Sequence, residues 1–415
     1  MNYPNFEGIK EAEKLLNGVV THTPLQHNLN LSEKYGANIF LKREDLQLVR
    51  SYKLRGAYNK MASLTKVVLQ KGVIYASAGN HAQGVAWACH KMETKGSIFM
   101  PTTTPAQKIK QVRLFGGKWI DIKLVGDSFD DASEAAQAYL KETGGTFIHP
   151  FNDSLVIEGQ GTIGLELLKN ASFKIDYLIF AIGGGGLASG LATVFKELSP
   201  KTKLIGVEPA GAASMKKSIE ANQVIVLPEM DKFVDGAAVA QVGDVTFEIC
   251  KKNLSDIKVV PEGKVCSLIL DLYSEEAIVA EPAGALSVAS LDDLKEEIQD
   301  KNVVCILGGG NNDILRMEEI RERSLLYEGL KHYFIIRFAQ RAGAMKEFLD
   351  EVLSPTDDIV FFEYSKKTAR ERGPALVGII VKKREDFKGL IQRMADAGIK
   401  YTYINDKPEL FEFLV

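Results

Sequence analysis

The chain has 415 residues, more than one simple hydrophobic core accommodates, so two or three domains are expected. A formal net charge of -3 with 25% charged residues describes an ordinary soluble surface and leaves no basic excess for nucleic acid. The N-terminal stretch MNYPNFEGIKEAEKLL lacks the charged-then-apolar order of a signal peptide, and no apolar run approaches the roughly 20 residues of a membrane span. A cytoplasmic protein without nucleic-acid or membrane partners is the expectation. Cys89, Cys250, Cys266 and Cys305 are scattered with no CxxC pair, which suggests buried thiols rather than a zinc site or a disulfide framework.

In chain order, NIFLK, VIYAS, SIFMP, WIDIKLV, TFIHPF, YLIFAI, KLIGVE and NVVCIL read as strands. Helical patterns such as PAQKIKQVRLFG and SFDDASEAAQAYLKE separate them. That alternation predicts an α/β fold of parallel sheets covered by helices. After RERSLLYEGLK the pattern restarts with YFIIRFA, GAMKEFLDEVL, DDIVFFEYSKK, ALVGIIVKK, EDFKGLIQRMADAG and KYTYIND. The order is βαββαβ, an α+β ferredoxin-like module of about ninety residues. By pattern alone, such a module could serve assembly only.

Ligands of open α/β sheets bind beyond the carboxyl ends of the strands, which singles out the loops SAGNHAQG, GGGGLASG and GGGNND. In IGGGGLASG, residues 182 to 190, consecutive glycines bring backbone N–H groups to the positive end of a helix, so a phosphate site is predicted. Gly183, Gly185 and Ala188 also fit a G-x-G-x-x-A dinucleotide fingerprint, with Glu208 ending the next strand as a ribose-binding acid. A nicotinamide-dinucleotide enzyme is therefore an alternative.

In SAGNHAQG, Ser77, Gly79, Asn80 and the first helical amides could hold a carboxylate. Taken alone, the segment reads more simply as a capped helix start. His81 and His149 read as structural hydrogen-bonding residues, and no HExxH or GxSxG pattern supports metal hydrolysis or a serine triad. Lys53 in VRSYKLRGAYNK, also taken alone, is a solvated lysine at a helix start. Lysine, phosphate cradle and carboxylate cradle together match what pyridoxal phosphate chemistry on an amino acid requires.

The stretches LKREDLQLVRSYKLRGAYN, SAGNHAQGVA, GGGGLASG, DGAAV and EPAGA resemble the successive motifs of the threonine dehydratases, in the tryptophan synthase β-like family of pyridoxal phosphate enzymes. The resemblance runs from THTPL at residue 21 to about residue 325. The C-terminal segment resembles the ACT-like regulatory domain of the biosynthetic enzymes, in single-copy form. The implied architecture is a fold type II enzyme with two parallel-sheet domains. Residues 1–48 and 150–325 form the large one, 49–149 a small mobile one, and 326–415 the ACT-like domain.

The resemblance makes Lys53 the Schiff-base residue and Cα base, with Tyr52 where the family usually has phenylalanine. Asn80 is implied as the partner of the ring hydroxyl of pyridoxal 5'-phosphate, and the amides of Gly183, Gly184, Gly185, Gly186 and Leu187 as the phosphate site. Ser77, Ala78, Gly79, Asn80 and His81 are implied around the substrate carboxylate. No metal is expected, because Glu208 and Ala212 match a cation site of some relatives while Ser214 replaces its aspartate.

The implied activity is dehydration and deamination of L-threonine to 2-oxobutanoate and ammonia, the first step of isoleucine biosynthesis. Isoleucine as feedback effector and a homotetramer are implied with it. A serine dehydratase of the same family is an alternative. Ala78 stands where related racemases carry a serine, so no racemisation is expected. Gly308 departs from the family, which commonly places a serine opposite the pyridine nitrogen there, and this opens a last alternative, a weakly active amino-acid sensor. In the C-terminal module, Ala339 and Ala342 replace prolines of the loop that binds ligand in such domains.

Overall fold

A computed structural model describes residues 3–77, 79–364, 372–407 and 409–411. Contacts divide the chain into two compact units, Met1–Ile314 and Leu315–Val415. Among the described residues, no helix is long and apolar enough to cross a membrane.

The first unit contains β1 (Leu25–His27), β2 (Asn38–Arg43), β3 (Val73–Ala76), β4 (Gly96–Met100), β5 (Ile120–Leu124), β6 (Thr146–Phe147), β7 (Tyr177–Ala181), β8 (Lys203–Pro209), β9 (Asp256–Val260) and β10 (Asn302–Leu307). They form a six-stranded sheet in the order β1-β2-β10-β7-β8-β9 and a four-stranded sheet in the order β5-β4-β3-β6. Every pairing is parallel except that of β1 with β2. Leu178 and Phe180, with Val304 and Ile306, pack with Leu191 and Phe195 of the helix Gly186–Leu198. The smaller sheet has its own core around Tyr75, Ile98 and Val85.

All eight expected strands of this unit are present. Two edge strands were not expected: β1 has only three residues, and β9, DIKVV, carries charge at its start and middle, so neither shows a clear apolar signal. TFIHPF yields only the two-residue β6. Its end leaves the sheet because Pro150 has no N–H to give and His149 Nδ1 takes the amides of Phe151 and Asn152, at 3.2 and 2.8 Å.

The helix Ser154–Asn170 lies between two others at backbone contact distance. A Cβ at Gly159 would sit 2.6 Å from the carbonyl oxygen of Arg55 in the helix Lys53–Ala62, and one at Gly190 would sit 2.6 Å from Gly161 N. Only glycine permits approaches this close.

Arg55 is wholly buried in the same region. Its guanidinium donates to Glu44 (Nε–Oε2 2.9 Å, Nη2–Oε1 2.8 Å) and to Glu166 (Nη1–Oε1 2.6 Å, Nη2–Oε2 3.0 Å). Lys42 Nζ donates to Glu166 Oε2 at 2.6 Å and to Thr23 O at 2.7 Å. Two cations thus face two carboxylates. Burial alone would raise the Glu166 pKa, but Arg55 and Lys42 outweigh it and hold the carboxyl below its usual range.

The segment before the Lys53 helix is stitched to the loop after β10. Tyr52 N–H donates to Gly308 O at 3.2 Å, Gly310 N–H to Arg50 O at 2.9 Å, and Asn311 Nδ2 to Val49 O at 2.9 Å.

In the second unit, a helix Met317–Tyr327 leads into β11 (Lys331–Ala339), β12 (Asp358–Tyr364), β13 (Arg372–Ile380) and β14 (Tyr401–Tyr403), with helices Ala344–Glu351 and Asp386–Asp396 between them. The sheet is antiparallel in the order β12-β13-β11-β14, the ferredoxin-like arrangement that the sequence predicts. Phe334, Ile336 and Phe338 pack against Phe348, Leu390 and Met394 of the two helices. The SKK end of the expected strand DDIVFFEYSKK lies outside the described residues.

Removing one partner of a buried ion cluster strands the others. Glu166→Gln should therefore destabilise the first unit by roughly 3–5 kcal/mol. Urea unfolding followed by fluorescence of Trp87 and Trp119, both in that unit, reads the change, and an unchanged midpoint would contradict this account of the cluster.

Candidate active site

Beyond the carboxyl ends of β7 and β10 lies a cleft. Lys53, Asn80, Gly183, Leu187, Glu281 and Gly308 line it, together with Tyr52. Four of these are residues the sequence predicts for the site, brought together from three separate segments.

Lys53 opens its helix, with Nζ 3.4 Å from Pro150 O and 5.5 Å from the centre of the Tyr52 ring. Burial pushes the amine down to about 8, opposed by the negative charge of Glu281. The two nearby histidines stay neutral for the same reason. Burial and then Lys53 bring His81 down to about 3, while burial takes His149 down to about 4. His81 Nε2 lies 2.9 Å from Ile148 O and so carries the proton, and its ring meets Tyr75 edge-on. His149 Nδ1 is taken up by the backbone amides of Phe151 and Asn152, and His81 by Ile148 O.

The glycine turn joins β7 to the helix Gly186–Leu198. Gly185 has φ +90°, the left-handed region, and a Cβ at Gly184 would overlap the Phe151 ring. Thr246 Oγ1 donates to Gly184 O at 2.6 Å and fixes the turn from behind. Among the described residues, no acceptor takes the N–H of Gly183, Gly184, Gly185, Gly186 or Leu187. A row of free amides at a helix N-terminus suits a phosphate group.

On the facing side, Asn80 begins the helix Asn80–Lys91 after β3. Ser77 Oγ accepts the N–H of Gly79 at 3.2 Å, which folds the loop over the helix start. Ala78 lies outside the described residues.

Glu208 does not play the part that the dinucleotide alternative needs. It is fully buried, and its two oxygens accept the N–H groups of Met215 and Lys216, each at 2.8 Å. This carboxylate caps the helix Ser214–Glu220 and has no free face for a ribose.

Sequence reasoning gave Glu281 no role, although the motif EPAGA contains it. It is buried in the cleft wall, and burial and then Asp235 raise its pKa to about 7. The available signal was a lone acid at the head of PAGALSVA, a helix whose every residue is buried.

Residues 16–309 match the family of pyridoxal-phosphate dependent enzymes. The chain belongs to this family. Residues 322–414 match the C-terminal regulatory domain of threonine dehydratase. The chain is 54% identical to the biosynthetic L-threonine dehydratase of Halalkalibacterium halodurans, over 99% of both proteins. Among solved structures, the processed threonine deaminase isoform 2 of Solanum lycopersicum matches 78% of this chain and 91% of that one, at TM-score 0.74 and 40% identity. Maize serine racemase matches 79% and 99%, at TM-score 0.73 and 30% identity.

The residues present fit pyridoxal phosphate: free amides for its phosphate, an amine of lowered pKa for its aldehyde, and the Asn80 amide for its ring. At Gly308 the fit is looser. A serine Cβ there would come 3.3 Å from the Tyr52 ring, so the hydroxyl that the family places here would need a small shift of that ring.

Because the Lys53 amine has a pKa of about 8 rather than 10.5, its reactive neutral form appears well before that of an exposed lysine. Capture of pyridoxal phosphate by the apoprotein should accelerate as pH rises toward 8 and level off above it, as followed by absorbance. Continued acceleration toward pH 10.5 would contradict the lowered value. The same shift sets the sign for stability: between 8 and 10.5 the unfolded chain keeps a proton that the folded one has lost, so this group favours folding more as pH rises through that window.

Proposed function

We infer that the chain is a pyridoxal phosphate-dependent L-threonine dehydratase, forming 2-oxobutanoate and ammonia as the first step of isoleucine biosynthesis. The observation that carries this reading is the match to a biosynthetic L-threonine dehydratase along the whole chain, catalytic and regulatory parts together.

Bound pyridoxal phosphate supplies the electron sink that makes the substrate Cα–H acidic. Lys53 Nζ anchors the cofactor at rest. Displaced by the substrate amine, it takes the Cα proton, a task suited to an amine whose pKa lies near 8. The amides of Gly183 to Leu187 hold the phosphate end. Ser77, Gly79, Asn80 and His81, with Ala78, surround the substrate carboxylate at the start of the helix Asn80–Lys91. The β-hydroxyl departs as water, and the released enamine hydrolyses to 2-oxobutanoate and ammonia. Serine has the same leaving group and is a second, slower substrate. Gly308 affects how firmly the ring is held and leaves the reaction class unchanged.

Residues 49–149 act as a mobile small domain against the rest of the first unit, which closes at Ile314 rather than at the expected residue 325. The C-terminal ACT-like module binds isoleucine, and the protein works as a cytoplasmic homotetramer. In the module's first strand-to-helix loop, which lacks the prolines at Ala339 and Ala342, the exposed Arg341 forms a two-pronged ion pair with Glu347, at 2.8 and 2.6 Å.

Two measurements test this reading. With L-threonine, the purified holoenzyme should release 2-oxobutanoate and ammonia in equal amounts, and Lys53→Ala should abolish both that release and the borohydride-reducible cofactor link. No 2-oxobutanoate from the intact protein would end the assignment. Isoleucine should inhibit the full chain but not a chain ending at Ile314, where the first unit closes. Equal inhibition of both would place the effector site in the first unit, and inhibition of neither would leave the module an assembly element.

A further inference from the structure

The mechanism above gives Glu281 nothing to do, yet its carboxylate sits in the wall of the cleft on the same side as Asn80. Its backbone is fixed, since its N–H donates to Gly309 O at 3.1 Å and the buried helix Pro282–Ala289 follows. Its Oε1 accepts from Asn80 Nδ2 at 2.6 Å, and the backbone N–H of Asn311 also donates to the carboxylate.

Asn80 is held at its other end too. Its Oδ1 accepts from Asn311 Nδ2 at 2.7 Å, the same nitrogen that donates to Val49 O at 2.9 Å. The direction of this chain is forced. Val49 O can only accept, so the Asn311 atom facing it is the nitrogen, whose second hydrogen goes to Asn80. The Asn80 atom there must be oxygen, which leaves the Asn80 nitrogen turned to Glu281. One amide hydrogen of Asn80 remains unassigned.

The three residues come from two parts of the unit. Asn80 starts the helix after β3 of the four-stranded sheet, while Glu281 and Asn311 flank β10 of the six-stranded sheet. The Asn80 amide, carried next to one sheet, is thus oriented by residues of the other. Gly308, also in the cleft wall, offers no side chain. Asn80 would then be the main side chain available to orient the ring.

We propose that Glu281 is a positioning residue for the cofactor ring: as a hydrogen-bond acceptor it locks the Asn80 amide so that the remaining N–H faces the ring hydroxyl. This rests on the assignment of Asn80 to that hydroxyl made above. Glu281 orients the ring through Asn80, a claim that separates it from a residue that merely stabilises the fold; because its charge also acts on Lys53, affinities are compared above pH 8, where that amine is neutral with or without the charge.

The test is a double-mutant cycle on the apoprotein, titrated with pyridoxal phosphate, with affinity and the absorption band of the bound cofactor as readouts. Glu281→Met fills the space without an acceptor, and Glu281→Ala replaces it if the longer side chain prevents folding, as judged by circular dichroism. Losing one buried hydrogen bond should weaken cofactor affinity by about 5- to 10-fold. The band should move in the direction seen for Asn80→Ala, and the double variant should be no weaker than Asn80→Ala alone. Wild-type affinity and band in the Glu281 variants would overturn the proposal, as would losses that multiply in the double variant. If Asn80→Ala itself changed neither readout, the assignment of Asn80 would fail first, and the role of Glu281 with it.

Discussion

Arg55 decides where Lys53 points. The two residues are two positions apart on one helix, roughly 200° around its axis, so they project on opposite sides. Arg55 has one place to go, between Glu44 and Glu166, where four hydrogen bonds meet a guanidinium with no exposure to water. Removing such a charge from water is costly unless every partner is present. Rotation of the helix would break all of these contacts together, so the cluster fixes its azimuth and Lys53 is turned to the cleft. Lys42, reaching Glu166 from β2, ties that azimuth to the large sheet.

The cleft combines two electrostatic devices of opposite sense. Helix starts at Asn80 and Gly186 bring the partial positive charge of backbone amides to the places where a substrate carboxylate and a cofactor phosphate would lie. Low polarity around Lys53, His81 and His149 works the other way, favouring their neutral forms. An anion is therefore held by dipoles rather than by full charges. Such surroundings suit the alternation between nucleophile and proton carrier proposed for Lys53, with both histidines held neutral.

Much of this was legible in the chain. Strong apolar runs gave the interior strands, and period-two and helical patterns gave the C-terminal βαββαβ module, because burial imposes those patterns directly. The edge strands β1 and β9 escaped, being short or charged and only half covered. At the site the glycine turn stood out by itself, while Lys53 and Asn80, each an ordinary helix start when taken alone, gained their meaning only from the combination and from the family resemblance. Glu281 did not. Its meaning lies in a contact with Asn80 across 201 positions of sequence, and a solitary glutamate before a proline looks like an ordinary helix start. The partners of Arg55 were hidden in the same way, because nothing local tells that Glu44 and Glu166 converge on one point.

The helix Ser154–Asn170 separates the lysine from the phosphate turn. On one side its backbone touches the helix that begins with Lys53, and on the other it touches the helix that begins at the glycine turn, in both cases through glycine. Two helices cannot come nearer than backbone contact, so both spacings rest against a hard stop. The separation between the amine and the phosphate seat is thereby a length built from main chain, which side-chain substitution can lengthen but not shorten. A cofactor whose aldehyde and phosphate arm spring from neighbouring ring carbons is measured against that length, so the protein carries a gauge for it made of absent side chains.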